Sequence, residues 1–483
     1  MNWSITKNDY KHLIALMLVS LLFTLPIIIS NVYYRDDLDR VITGYYGWSF
    51  AARPLADILM MLISGSGIKL VDYAPYSTII ASAMVAVAAF IIKKFLDSKE
   101  VANSTFIAAL FIINPLFLQN LLYRYDSLPM SMALACAVAS YFLRLRNIYA
   151  SHTIRALLAV ASLSLYQPCF NIFIALLSVE LTASLLKRSS AIDSVKITIK
   201  RGLEYAAYYS IYFISVGMLY ASNNARAKFI GPNEEGLRQI LSTKTRLTYM
   251  IGSLGFGPNF KYIAFGLASA VVACVYLLIS RKVKPLSFIV VTIISIVAMG
   301  VSLLGPTYLL MNSPVLPRAV VSLSVPLVIL GVILTSSFSR IYYLAAIPAI
   351  PMFAFSAQVS NAIHDQRKYE ENILSMAGYD ILSKGGDYSM VKIVGSPAYS
   401  PRSKTIIEEH PSVKYILSVS GGFQASFIME SIGIARVQPS YGQEEKNMEI
   451  LSEMKEDPSR IISKTDLYSV YKRDGIILVD IAG

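Results

Sequence analysis

The sequence predicts an α-helical polytopic membrane protein of about eleven transmembrane helices, followed by a small α/β domain. Three observations predict it. Of 483 residues, 55% are hydrophobic and only 15% charged, whereas soluble domains carry about 25% charged residues. Between residues 12 and 358 the apolar residues fall into runs long enough to cross a bilayer, and mean hydropathy is +0.54. After Ser360 the composition turns to ordinary soluble sequence, with charges throughout. The chain therefore divides into a membrane domain, 1–360, and a soluble domain, 361–483.

Taken in order, Lys7 and Lys11 precede the first run, 12–30, and place the N-terminus in the cytoplasm. That run is too long for a cleavable signal peptide, and no Ala-x-Ala-like site follows it. The loop Tyr33 to Arg40 then lies outside. Residues 48–70 read as an interfacial amphipathic helix with Pro54 in its first turn, because the apolar core Ile58–Ile63 is too short to span. Further spans follow at 73–92, 101–118, 128–143, 154–166, 169–186, 204–221, 262–280, 286–304, 319–337 and 341–358. Lys93-Lys94, Arg144 with Arg146, Lys187-Arg188, Lys196 to Arg201, Arg281 to Lys284, and Arg340 mark the cytoplasmic connections. This topology puts the soluble domain outside. The outer loop 222–260 is basic, with Arg226, Lys228, Arg238, Lys244 and Arg246, and runs against the rule, as long loops do. In the soluble domain, 361–383 reads as a helix, and Val391–Gly395, Val413–Leu417 and Gly475–Val479 as strands. The Ser420-Gly421-Gly422 turn is too weak a signal for a phosphate loop.

The net charge of +12 is dispersed between apolar runs. That fits positive-inside loops and anionic headgroups, and argues against nucleic acid. The three cysteines, Cys136, Cys169 and Cys274, sit inside apolar stretches as packing residues. The four histidines are far apart and form no zinc motif.

The chemistry-bearing residues gather at outer membrane edges. Arg35, Asp36, Asp37, Asp39 and Arg40 follow the first span directly. Adjacent carboxylates repel, and partial desolvation at a bilayer edge raises one of them, which suits a general base. The pair equally suits a divalent cation, or a solvated loop whose acids pair with Arg35 and Arg40. Arg53, Arg124 and Arg318 lie on the same side, where guanidinium groups bind the phosphate of a lipid donor or anchor to headgroups. Of these, Arg318 in its Pro-rich loop is favoured for the donor phosphate. Tyr33, Tyr34, Tyr45, Tyr46, Trp48, Tyr123, Tyr125 and Tyr166 cluster at outer edges, as a sugar platform or as an ordinary aromatic belt. Asp126 is a second acidic candidate. Gln167 is placed to bond a sugar or a neighbouring helix.

On Tyr34-Arg35-Asp36-Asp37-Leu38-Asp39-Arg40, Gly44, Trp48, Arg53-Pro54-Leu55, Asn114-Pro115, the Tyr123-x-x-Asp126 turn and Tyr166-Gln167, the membrane domain resembles the bacteriophage-type serotype-converting O-antigen glucosyltransferases of enterobacteria, the Gtr family, and most of all its type II members. The resemblance implies a GT-C fold with interfacial helices on the periplasmic side of the inner membrane. It implies transfer of glucose from undecaprenyl-phosphate-glucose to a sugar of lipid-linked O-antigen, beside a flippase and a donor synthase. Asp36 or Asp37 would then be the general base, with the choice left open. Arg35, Asp39, Arg40, Trp48, Arg53, Arg124, Asp126, Tyr166, Gln167 and Arg318 would bind substrates. GT-C relatives differ in metal use, and the lack of a clear ligand cluster points to a metal-independent mechanism without cofactor.

Three other classes compete with this reading. A transporter or flippase for a lipid-linked sugar predicts mid-membrane charges and repeated halves, and neither stands out. The sequence also leaves open a GT-C enzyme that uses another polyprenyl-phosphate sugar. A membrane acyltransferase needs a placed histidine base that the sequence lacks.

Overall fold

The computed structural model describes residues 6–220, 228–255 and 259–481; Arg226 of the basic outer loop lies outside them. The chain is mostly helical and forms two compact units. The first takes the chain up to Ile29, Gly47–Gly67 and Tyr73–Ala357; the second takes Ser30–Tyr46, Ile68–Asp72 and the chain from Gln358 onward.

Six helices among the described residues are long and apolar enough to cross a membrane: Lys7–Ser30, Tyr76–Ser98, Ile148–Leu186, Phe260–Ile279, Pro285–Ser302 and Tyr342–Lys384. With these helices the protein is a polytopic membrane protein. Shorter apolar helices, Pro54–Ser64, Ser127–Phe142 and Val321–Ser337, pack among them. Helix Tyr76–Ser98 lies against Ser127–Phe142, which lies against Ile148–Tyr166. Both helices are rich in small buried residues, Ala81, Ala86, Ala88 and Ala89 in one and Ala133 and Ala137 in the other, which suits close helix packing. Ser162 closes the second contact by donating to the Ala133 carbonyl at 2.8 Å.

Several stretches differ from the sequence expectation; the expected span 204–221, for one, is the end of helix Ala191–Tyr212 and the π turn Phe213–Gly217. The stretch 101–118 is broken into helices Ser104–Ile112 and Leu118–Leu122. Pro115 has no N–H to offer a helix. The Asn114 carboxamide instead accepts from the N–H groups of Leu116 and Phe117 at 3.1 and 3.3 Å, and donates to the Val321 carbonyl at 2.9 Å. The nine-residue helix Ser104–Ile112 is about 14 Å long, short of the roughly 30 Å hydrocarbon core. Farther on, the stretches 341–358 and 361–383 merge into one 35-residue helix, Ile350–Lys384.

A buried ion network ties four helices of the first unit. Arg155, with a side chain 2% exposed, pairs with Glu204 at 2.5 Å. Arg201 pairs with Glu180 at 2.7 Å and Glu204 at 2.8 Å. Tyr141 donates to Glu180 at 2.6 Å. In apolar surroundings such charges are tolerated only when fully paired.

The second unit carries a four-stranded sheet: β1 (Met390–Gly395), β2 (Ile461–Lys464), β3 (Tyr468–Arg473) and β4 (Ile476–Ile481), in spatial order β1-β4-β3-β2. β1 runs parallel to β4, and the β3–β4 and β2–β3 pairs are antiparallel. Asp474 and Gly475 turn the β3–β4 hairpin with φ of 48° and 76°, the left-handed pair that an Asp-Gly turn supplies. The expected strand at Val413–Leu417 is instead a single helical turn, Val413–Ile416. It buries Val413, Ile416 and Leu417 at helical spacing and leaves Lys414 exposed, so five residues were too few to separate the two periods. Leu38 joins the core formed by Ile373, Ile381, Val391, Ile393, Phe427, Val470 and Val479, with Tyr33 and Ile42 packed against it. The loop after the first span is thus part of this unit's hydrophobic core.

Candidate functional site

In the first unit, a tight loop precedes helix Pro54–Ser64, which starts with Pro54 at its first position. Asp57, in the first turn of that helix, organises the loop. Its carboxylate accepts from the N–H groups of Gly47 at 2.9 Å, Trp48 at 3.1 Å and Ser49 at 2.6 Å, and also from the Ser49 hydroxyl. Gly47 sits at φ 106°, where a side chain would be strained. Held this way, the Trp48 indole N–H donates to Asp126 Oδ1 at 2.6 Å. Asp57→Ala is expected to lower the stability of this unit by about 2–3 kcal/mol, because buried N–H groups lose a charged acceptor. A thermal midpoint that does not move would contradict this role.

Arg53 and Arg318 meet around Tyr166. Arg53 Nε donates to Gln167 Oε1 at 2.7 Å, and its guanidinium lies 4.5 Å from the Tyr166 ring centre. Gln167 Nε2 donates to the carbonyls of Ala51 and Ala52 at 2.9 and 3.3 Å and to the Tyr212 hydroxyl at 3.0 Å. Gln167 therefore holds Arg53 and the backbone before it. Its position follows from the 3₁₀ turn Gln167–Asn171, which Pro168 opens between two helices. The Arg318 backbone N–H donates to Gln119 Oε1 at 2.9 Å, and the Arg318 carbonyl accepts from Asn120 at 3.2 Å and from the Tyr166 hydroxyl at 3.4 Å. Its guanidinium donates to the Tyr123 hydroxyl and lies 5.2 Å from that ring centre. Burial lowers the Arg53 guanidinium from its usual range; Tyr166 and Asp126 favour its charge, and Arg318 opposes it. Two cations, one carboxylate and the tyrosine rings under the guanidinium groups thus converge, an arrangement chemically suited to a phosphate and a sugar. Arg124 lies half-buried in the turn just before Asp126.

Arg35, Asp36, Asp37, Asp39 and Arg40 belong to the second unit. Asp36 is exposed and makes no side-chain capping bond to helix Asp37–Thr43. Asp37 is fully buried, and its carboxylate accepts from the Tyr34 N–H at 3.1 Å. Arg35 takes a positive φ of 50° and lies 5.6 Å from the Tyr34 ring centre. Arg40 donates to the carbonyls of Tyr45 and Tyr46, both at 3.1 Å, and stacks 4.5 Å from the Tyr45 ring centre. Gly44 ends the helix in the left-handed region, and its carbonyl accepts from the Leu70 N–H at 2.8 Å. Asp39 is half-buried, and burial raises its carboxyl above the ordinary 3.8 against the opposing Thr43 bond and Arg40 charge. A carboxyl raised on folding contributes fully below its unfolded value and loses that contribution as pH rises through the folded one. Asp39→Asn is therefore expected to raise the thermal midpoint at pH 7 and to bring a smaller gain below pH 4. Equal gains at both would contradict it.

The sequence reading missed Asp57, Gln119 and Tyr212. An acid within three residues of Pro54 is a legible helix-start signal. Tyr212 lies 45 residues from Gln167 and carries no local sign. Among the described residues, no group of three or more His, Cys, Asp or Glu is placed to hold a metal ion.

The family model described as Glucosyl transferase GtrII matches residues 25–335. A protein of Salmonella phage P22, named as an uncharacterized 55.3 kDa protein in the gtrB 5′ region, is 25% identical over 426 residues, covering 85% of this chain and 87% of its own. No solved structure matches the chain. The matched stretch contains both the Asp36–Arg40 loop and the convergence of Arg53, Asp126, Tyr166, Gln167 and Arg318. The chain belongs to the GtrII glucosyl transferase family and is a membrane-embedded glycosyltransferase.

Proposed function

We propose that this protein transfers glucose from undecaprenyl-phosphate-glucose to a sugar of lipid-linked O-antigen at the periplasmic face of the bacterial inner membrane, and so modifies lipopolysaccharide and converts serotype. The observation that carries this reading is the meeting of Arg53 and Arg318 beside Asp126, Trp48 and Tyr166. The first unit also holds an apolar cavity of about 790 Å³, lined by residues such as Leu254, Leu267, Phe288, Leu330 and Met352. A polyprenyl tail suits such walls. Pro115 and Leu323, which also line it, belong to the same chain stretches as Gln119 and Arg318.

In this reading the fold is of GT-C type with about eleven spans, the N-terminus in the cytoplasm, and the 361–483 domain in the periplasm. The two guanidinium groups, rather than a metal ion, carry the charge of the phosphate. Within the second unit, Asp36 takes, in this reading, the role of general base for the acceptor hydroxyl. The C1–O bond to phosphate breaks, and the lipid phosphate leaves against Arg53 and Arg318. Gln167 fixes Arg53, and Trp48 offers its ring to the sugar. Asp39, Arg35, Arg40 and Arg124 border the substrates. A flippase and a synthase supply the donor. Asp126 is a second candidate base, favoured by its influence on the charge of Arg53.

The test is transfer by purified protein in lipid nanodiscs given undecaprenyl-phosphate-glucose and lipid-linked O-antigen. A new glucosyl linkage supports the reading. A linkage formed only from another polyprenyl-phosphate sugar makes it a different hexosyltransferase. Movement of a lipid-linked sugar across the bilayer without any new linkage makes it a transporter. A reporter fused behind residue 483 is expected to read periplasmic, and a cytoplasmic signal overturns the topology.

A further inference from the structure

The second unit holds a small cleft, separate from the residues assigned above to the donor phosphate. It measures about 280 Å³ with its mouth included and is lined by Tyr33, Arg35, Arg367, Glu370, Ser420 and Gln424, among others. Its enclosed part has room for little more than one water-sized oxygen. The walls are held by the protein itself. Arg367 donates to the Ser420 hydroxyl at 3.2 Å and the Tyr33 carbonyl at 3.1 Å. The Glu370 side chain is only 1% exposed, and its Oε1 accepts from Gln366 Nε2 and the Ser420 N–H, both at 3.0 Å. Its Oε2 faces Arg367 Nη1 at 3.4 Å.

Among the residues lining this cleft, three buried side-chain atoms make no hydrogen bond: Arg35 Nε, Arg367 Nε and Glu370 Oε2, the last of which keeps its ion pair with Arg367. Two are donors and one is an acceptor. Native proteins rarely leave such groups unsatisfied. A phosphodiester only accepts and an ammonium only donates, whereas a hydroxyl does both. Planar guanidinium, carboxylate and amide groups around one oxygen-sized space, with two tyrosines in the lining, are the wall that a sugar edge requires.

We propose that this cleft seats a hydroxyl-bearing edge of one hexose of the acceptor glycan, with Glu370 accepting from that hydroxyl and Arg35 and Arg367 donating to it. The proposal rests on the reading above that the acceptor is a glycan. It assigns the second unit a task of its own, which is to hold the acceptor chain by a sugar.

The test uses the full-length protein in detergent without donor, and reads binding of the methyl glycosides of glucose, galactose, mannose and rhamnose by saturation-transfer NMR. Inorganic phosphate is the competitor. At least one glycoside is expected to bind, with affinity falling tenfold or more in Glu370→Gln and in Gln424→Ala, and phosphate is expected not to displace it. Gln424→Ala alters the cleft without removing a buried charge, and thermal midpoints of both variants show that they fold. No glycoside bound, binding unchanged in folded variants, or displacement by phosphate overturns the proposal and leaves the cleft a seat for a structural water or an anion. The outcomes separate cleanly from those of the transfer assay. Failed transfer with intact glycoside binding sinks the donor reading, and intact transfer without glycoside binding sinks this one.

Discussion

Asp36→Asn is expected to lower the turnover of glucosyl transfer by about 10²–10⁴-fold, the usual contribution of a placed general base, while the thermal midpoint stays where it was. Asp36 is exposed, and its side chain does not cap the helix that follows it, so an amide of the same shape costs the fold little. Asp37→Asn is expected to behave in the opposite way. Asp37 is 0% exposed, accepts from the Tyr34 backbone, and acts on the charge of Arg367. Its loss should destabilise the second unit by about 2 kcal/mol or more, and residual folded protein should keep transferring. The two variants are read together by turnover per folded molecule and by thermal denaturation in detergent. If Asp36→Asn transfers at the parental rate, the base is elsewhere, and Asp126→Asn becomes the decisive variant.

The second large effect falls on Arg53. Arg53→Ala is expected to lower turnover with the lipid donor by about 10²–10³-fold, the range for removing one preorganised donor to a developing negative charge. Arg53→Lys should not restore it. The guanidinium uses Nε on Gln167 while its face lies on Tyr166, and an ammonium reproduces neither the fork nor the stacking. Arg318→Ala is expected to fall in the same range. Gln167→Ala should lose less, because it acts by holding Arg53, and its effect should vanish in an Arg53→Ala background. That double-mutant cycle separates positioning from direct contact. A donor KM and turnover both unchanged in Arg53→Ala would remove the phosphate-site reading.

Membrane character is a property of composition and of run length, so it was legible without coordinates. Local signals carried further detail. Pro54 opens a helix as expected of a proline at the first position. The sequence-assigned strands near Val391–Gly395 and Gly475–Val479 appear as β1 and β4. The Asp474-Gly475 pair is a legible hairpin signal, and it joins β3 to β4. The order of the short motifs was enough to point to the Gtr family.

What only the tertiary structure decided are the pairings between residues far apart in the chain. Asp36 and Asp37, equivalent as letters, part into an exposed and a buried carboxylate, because Leu38 turns into the hydrophobic core of the second unit while Tyr34 is buried with its hydroxyl on the Ile416 carbonyl. Arg201 looked like one more positive-inside charge, yet it is clasped between Glu180 and Glu204. Arg53 finds Gln167 across 114 residues, and Trp48 finds Asp126 across 78. Periodicity and capping are set within a few residues of a position. Burial and partner choice are set by which faces pack, and the sequence alone determined those faces as apolar without saying what each would meet.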